Sequence, residues 1–157
     1  MLIGHLPSGY IAACTCEKFT SSRTFFVGMV LGAFLPDIDM LWFHFVDHGA
    51  VHHHEYITHR PIVWLAVLTI GFILQRKFLL GLGLGGILHM LLDTLAGAIV
   101  WGWPLATEPN TLVIVQATHD HWIKSFLWHW TFKVEIVVTL SGLGLFVFRR
   151  WKSRSLR

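Results

Sequence analysis

The chain contains 157 residues, of which 54% are hydrophobic and 13% are charged, and its mean hydropathy is +0.60. Soluble domains carry about 25% charged residues, so this composition excludes intrinsic disorder and argues against a free-standing soluble domain. The net charge of +3 would suit a nucleic acid, but the basic residues are placed as in a membrane protein and no nucleic-acid partner is expected. We predict a single integral membrane domain over residues 1–157.

Five apolar segments follow one another along the chain. They are residues 2–16, 24–46, 61–74, 78–103 and 134–148. A helix that spans a bilayer needs about 20 apolar residues. Segment 78–103 is long enough, and segment 134–148 is long enough if its helix begins near Trp122 or Trp128. Segment 24–46 is interrupted at Pro36. The fold class predicted is an all-α, polytopic membrane bundle of about four to five membrane helices, some of them short or broken.

If all five segments cross the membrane, the basic residues and the histidines and acidic residues lie mostly on opposite sides of it. Nine of the 12 basic residues then lie on one side: Lys18, Arg23, Arg76, Lys77, Arg149, Arg150, Lys152, Arg154 and Arg157. The positive-inside rule makes that side the cytoplasm. All 11 histidines and every acidic residue except Glu17 fall in the opposite half or its loops. The sequence therefore predicts a multi-pass protein with a chemical site that faces the non-cytoplasmic side.

The candidate site is built from four groups of polar side chains. They are Asp37 with Asp39, the loop 51–60 (VHHHEYITHR), His89 with Asp93, and His5, while residues 118–121 (THDH) are a candidate fifth. Pro36 ends or kinks a helix, so the first two carboxylates emerge at the end of a rigid element. His89 and Asp93 are four residues apart, which places both on one face of a helix, where they can share one ion.

Each group also has an interpretation without function. Adjacent loop histidines such as His52 and His53 are usually solvated, and aspartates after a proline can simply end a helix. The pair His89 and Asp93 is different, because a charged residue inside a membrane helix costs roughly 2.5–3.5 kcal/mol and is by default functional. Histidines and aspartates together form a mixed nitrogen and oxygen ligand set, which suits zinc first, with manganese or iron as alternatives. We expect one or two divalent ions.

The motifs resemble those of one known family, the LexA-binding, inner-membrane-associated metal-dependent hydrolases of the YdjM type. The shared features are an early histidine, LPDID at residues 35–39, HEYITH at 54–59, HMLLD at 89–93 and WP at 103–104. The family loop typically reads HRGxTHS, so the two histidines and the threonine match here and the other positions differ. The resemblance covers roughly residues 1–105 and implies an inner-membrane hydrolase. A fainter similarity to zinc-dependent phospholipase C implies phosphoester chemistry.

The expected function is hydrolysis of a lipid-linked or amphiphilic substrate at the outer side of the membrane. The expected metal ligands are His5, Asp37, Asp39, His54, His59, His89 and Asp93. Asp39 would either bridge a second ion or act as a general base, and Thr58 would hydrogen-bond a ligand or substrate oxygen. Arg60 would hold a phosphate or carboxylate group.

A protein that binds or transports a divalent metal without catalysis is the alternative function. A histidine-rich outer loop and an intramembrane pair of His89 and Asp93 would also suit a carrier. A carrier needs polar groups on both sides of its site, and the inner half of this chain offers almost none beyond Glu17 and the basic residues. The sequence therefore favours a pocket that opens to one side only.

Overall fold

The computed structural model describes residues 3–155, and this part of the chain is built from helices. Seven α-helices occur there: α1 (His5–Thr20), α2 (Arg23–Gly32), α3 (Asp39–Phe45), α4 (Pro61–Ile73), α5 (Lys77–Asp93), α6 (Trp122–Trp128) and α7 (Trp130–Ser155). Three 3-10 turns lie at Leu35–Ile38, His53–Glu55 and Ile57–His59. Within residues 3–155 there is no β-strand, and one isolated bridge pairs Ile99 with Asn110.

Local sequence signals account for the ends of several helices. The Ser22 hydroxyl accepts a hydrogen bond from the Phe25 N–H and caps the start of α2. Pro36 lies in the 3-10 turn that follows α2, so the predicted segment 24–46 is broken, as expected, with a bend of 50° between Arg23–Gly32 and Leu35–Phe45. Pro61 occupies the first position of α4, where its missing N–H costs nothing.

Glycines allow α2 and α5 to pack in close backbone contact. Gly28 and Gly32 on α2 face Gly81 and Gly85 on α5, each pair four residues apart. A Cβ atom added at Gly32 would lie 2.1 Å from the Leu82 carbonyl oxygen, and one added at Gly81 would lie 2.2 Å from a backbone oxygen of α2. Small residues at this spacing are typical of helix pairs in membranes.

The two ends of the bundle carry different chemistry. At one end, Arg149 of α7 donates to Glu17 of α1 at 2.5 Å. At the other end, the carboxylate of Glu135 on α7 accepts from the backbone N–H groups of Ile3 and Gly4, at 2.7 and 3.2 Å. The start of α1 thus contacts the first half of α7, and the end of α1 contacts the last half, so the two helices run in the same direction. The start of α1 lies at the end of the bundle opposite the basic residues 149–154.

Helix lengths confirm part of the predicted architecture. The all-α class is confirmed for the described residues. Trp130–Ser155 is the one helix among them that is long and apolar enough to cross a membrane by itself, and the bent pair Arg23–Gly32 with Leu35–Phe45 adds one more only if both count as one span. By length and composition the described helices thus support one or two spans, and the predicted four to five membrane helices are not confirmed.

Two predicted segments differ from the helices that form. Segment 78–103 is helical only to Asp93, because a turn begins at Thr94 and the chain then enters the bridge at Ile99. Segment 134–148 belongs to a longer helix that begins at Trp130, and the separate helix α6 precedes it across a break at His129.

Candidate metal centre

His89 and Asp93 form the rigid side of the centre, on the last turns of α5. The helical spacing places the His89 Nε2 atom 3.0 Å from Asp93 Oδ2. Both side chains are almost fully buried, at 0% and 1% exposure. The His89 Nδ1 atom lies 2.8 Å from the Ala33 carbonyl oxygen. Because a carbonyl only accepts, Nδ1 carries the proton and Nε2 points its lone pair toward the carboxylate when the ring is neutral.

His59 is held in the same way by a carboxylate behind it. Its Nδ1 atom lies 2.5 Å from Asp39 Oδ2, and the Thr58 hydroxyl donates to the same oxygen at 2.5 Å. The opposite nitrogen, Nε2, faces Asp93 Oδ2 at 3.6 Å and Asp37 Oδ1 at 3.8 Å. A carboxylate on one imidazole nitrogen commonly orients the other toward a metal ion.

His5 and His54 complete the ring of imidazoles around Asp93. The His5 Nε2 atom lies 3.0 Å from Asp93 Oδ1, and the His54 Nε2 atom lies 3.5 Å from Oδ2. The His5 ring stacks on the His89 ring with centroids 3.7 Å apart. Residues far apart in the chain thus converge on a single carboxylate.

Asp37 forms the open side of the centre. Its Oδ1 atom lies 3.5 Å from His89 Nε2, and its side chain is 27% exposed, whereas Asp93 and the histidines that face it are buried. Among Asp37, Asp93 and the histidines that face them, Asp37 is thus the residue that connects the cluster to the protein surface. This arrangement differs from a closed structural zinc site, in which four protein ligands complete the shell.

The donor atoms fit a divalent cation. The Nε2 atoms of His59 and His89 are buried without a hydrogen-bond partner, although each faces carboxylate oxygens. Four triads among the described residues hold their potential ligand atoms within 4.8 Å of one another: His5, Asp37, His89; His54, His59, Asp93; Asp37, His53, His59; and His52, His53, His54. The first two consist entirely of residues that the sequence predicts as ligands. Neutral imidazole nitrogens and carboxylates at this separation are the ligand types that zinc binds.

The protonation of the loop histidines follows from their surroundings. Burial lowers the pKa of His54 to about 2 and that of His53 to about 4, so both are neutral imidazoles near pH 7. Burial also disfavours charge on His59, but its hydrogen bond to Asp39 and the negative charges of Asp39 and Asp93 outweigh it and raise its pKa to about 9. The centre therefore stabilises positive charge at the position of His59.

Other residues predicted for the site have different partners. Arg60 donates from Nη2 to the Glu55 carbonyl at 2.6 Å and lies over the Trp103 ring at 5.9 Å. His52 is exposed, and its Nδ1 accepts from the His54 N–H. His119 and His121 are exposed and belong to none of the groups of converging donors found in residues 3–155.

Glu135 is a residue near the site that the sequence interpretation did not include. It is 1% exposed and caps the start of α1, the helix that carries His5 as its first residue. A lone carboxylate in an apolar helix was a usable signal, because such groups usually have a function or a buried partner. Its partner is a helix terminus, which no motif in the sequence specifies.

The chain matches a known protein family. A family model described as YdjM inner membrane protein matches residues 1–154 of the chain. No curated protein and no solved structure gives a match. The family match extends beyond the motifs at residues 5–104 and reaches the last turn of α7.

Proposed function

This chain belongs to the YdjM inner membrane protein family, and we propose that it is a membrane-embedded, metal-dependent hydrolase with its centre at the non-cytoplasmic side. The observation that carries this proposal is the convergence of four imidazole Nε2 atoms on the carboxylate of Asp93, at 3.0 to 3.6 Å. A substrate would approach the centre at Asp37, whose side chain is 27% exposed. The ligand chemistry favours zinc, with manganese or iron as alternatives.

The ligands proposed for the metal are His5, Asp37, His54, His59, His89 and Asp93. A bound divalent ion would lower the pKa of its water toward about 7 and would polarise an ester or phosphoester oxygen. The role of the protein is to orient the imidazole rings that would bind the ion. The Ala33 carbonyl fixes the His89 tautomer, and Asp39 fixes His59, so that both rings present Nε2. We assign Asp39 to positioning, because its Oδ2 already accepts from His59 and Thr58.

The surroundings of the centre support a lipid-linked or amphiphilic substrate. The helix α3 begins at Asp39 and exposes Leu41, Trp42 and Phe45, at 59%, 56% and 75%. Apolar and aromatic side chains on a short exposed helix are suited to the membrane interface. The site would thus open beside a surface that contacts lipid.

A multi-pass arrangement is proposed with α1, α2, α4, α5 and α7 as the crossings. The helices α1, α4 and α5 have 16, 13 and 17 residues, which corresponds to about 20–26 Å at about 1.5 Å per residue. A hydrocarbon core of about 30 Å would thin locally around such short helices. Thinning would bring the outer ends of the helices, and the centre with them, close to the level of the lipid headgroups.

The transport alternative is less compatible with the packing beneath the centre. Between α2 and α5, added Cβ atoms at Gly28 and Gly85 would lie 2.2 and 2.3 Å from backbone oxygens. This interface has no room for a methyl group, and therefore none for a hydrated ion. A conduit between α2 and α5 would require these two helices to separate.

The test is hydrolysis by purified protein in lipid nanodiscs, with a panel of phospholipids, acyl lipids and isoprenyl phosphates. We expect product release that stops after chelation and returns with zinc or manganese, that is lost in Asp93→Asn, and that persists in His44→Ala. His44 is an exposed histidine on α3 and serves as the matched control. An absence of hydrolysis across the panel, together with ion flux that depends on His89 and Asp93 in liposomes, would establish the carrier instead.

A further inference from the structure

We propose that the centre holds two divalent ions bridged by the carboxylate of Asp93, one bound by His5, Asp37 and His89 and the other by His54 and His59. This inference rests on the proposed metal centre and specifies its nuclearity. It identifies the class of chemistry as two-ion hydrolysis, in which paired ions about 3.5–4 Å apart stabilise the attacking and leaving oxygens of a phosphoester.

The two oxygens of Asp93 face different histidines. Oδ1 lies 3.0 Å from His5 Nε2. Oδ2 lies 3.5 Å from His54 Nε2 and 3.6 Å from His59 Nε2. With Oδ1 toward His5 and Oδ2 toward His54 and His59, Asp93 is placed to bridge two ions. His89 lies between the sets, stacked on His5 and 3.0 Å from Oδ2.

Each half of the centre is complete enough to bind an ion. Open zinc sites use three protein ligands and leave a fourth position for water or substrate. The first half has His5, His89 and Asp37, and the second has His54, His59 and Asp93, with the potential ligand atoms of each set within 4.8 Å. Asp37 is also 3.8 Å from His59 Nε2, so the exposed carboxylate lies at the junction of the two halves.

A single ion leaves part of this geometry unexplained. One tetrahedral ion could take His59, His89, Asp37 and Asp93, whose nearest donor atoms are 3.0 to 3.8 Å apart. That shell uses neither His5 nor His54, although both are buried and both direct Nε2 at Asp93. A second ion accounts for both of these histidines.

The experiment counts ions and measures whether they interact. The full chain, purified in detergent with an affinity tag that contains no histidine, is loaded with zinc and analysed by elemental mass spectrometry. In parallel, the apoprotein is titrated with Mn²⁺ and followed by electron paramagnetic resonance, which distinguishes an isolated ion from an exchange-coupled pair. The variants His5→Ala and His54→Ala each remove a ligand from one half, and His44→Ala is the control.

We expect two zinc ions per wild-type chain, a coupled Mn²⁺ signal at two equivalents, and one ion in His5→Ala and in His54→Ala. His44→Ala should retain two ions. One ion per wild-type chain with an uncoupled Mn²⁺ signal would overturn the two-ion centre while leaving the proposed metal centre intact. No bound ion would refute the metal centre itself. The wild-type measurements decide the question even if a variant fails to fold.

Discussion

Replacing Asp39 by asparagine should weaken metal binding through His59. The Asp39 Oδ2 atom accepts from His59 Nδ1 and from the Thr58 hydroxyl, both at 2.5 Å, within a side chain that is 4% exposed. An asparagine occupies the same volume and can still accept a hydrogen bond, but it removes the negative charge. Hydrogen bonds to charged groups contribute about 1.5–3 kcal/mol, and neutral ones about 0.5–1.5. The change therefore removes about 1–2 kcal/mol of the hydrogen-bond energy that holds the His59 imidazole in place.

The expected result is a rise of about 5- to 30-fold in the dissociation constant for zinc, because about 1.4 kcal/mol corresponds to a factor of ten. This range overlaps the roughly 10- to 100-fold loss that is typical when such outer partners are removed. The assay is a competition titration against a chromophoric chelator in detergent. Asp47→Asn is the matched control, because Asp47 accepts from the Tyr56 hydroxyl and not from a proposed ligand. Adding Asp39→Asn to His59→Ala should produce little further loss, since the effect passes through that ring. Equal affinities for Asp39→Asn and wild type, or equal losses in both asparagine variants, would refute this reasoning.

Three further predictions test the packing, the topology and the loop. Gly85→Ala should destabilise the protein by about 1–3 kcal/mol, because its Cβ would lie 2.3 Å from a backbone oxygen. Gly144→Ala is the control and should not destabilise the protein, because nothing lies within 4 Å of an added Cβ at that position. Thermal unfolding in detergent measures the stability of both variants. In a chain whose native cysteines are replaced, His48→Cys and Arg154→Cys should be labelled from opposite sides of the membrane, and labelling from one side would end the proposed topology. Arg60→Ala should mainly raise the apparent KM for an anionic substrate, and an unchanged KM would remove Arg60 from substrate binding.

Local patterns predict those parts of the centre that lie within one element. His89 and Asp93 follow from helical spacing, and their contact at 3.0 Å confirms that they share one face. The break at Pro36 likewise follows from the chemistry of proline. These features depend on residues that are neighbours in the chain.

The rest of the centre depends on tertiary contacts that spacing does not encode. Among the consecutive loop histidines, His54 is buried and His52 is exposed, because the 3-10 turn at His53–Glu55 directs only one ring at Asp93. The contact between Asp39 and His59 joins residues 20 apart. The early end of α5 at Asp93 likewise reflects the turn and bridge that follow, although the apolar pattern continues to Trp103.

The most direct test of the metal centre is the metal content of purified protein and of three variants, measured by elemental mass spectrometry. Wild type and His44→Ala should retain their bound divalent metal through size-exclusion chromatography. Asp93→Ala should lose most of it and His59→Ala at least the ion that His59 would bind, because the His59 Nε2 and Asp93 Oδ2 atoms face each other at 3.6 Å within the shared ligand cluster. Metal content that is unchanged in both His59→Ala and Asp93→Ala would contradict the assignment of this cluster as a metal centre.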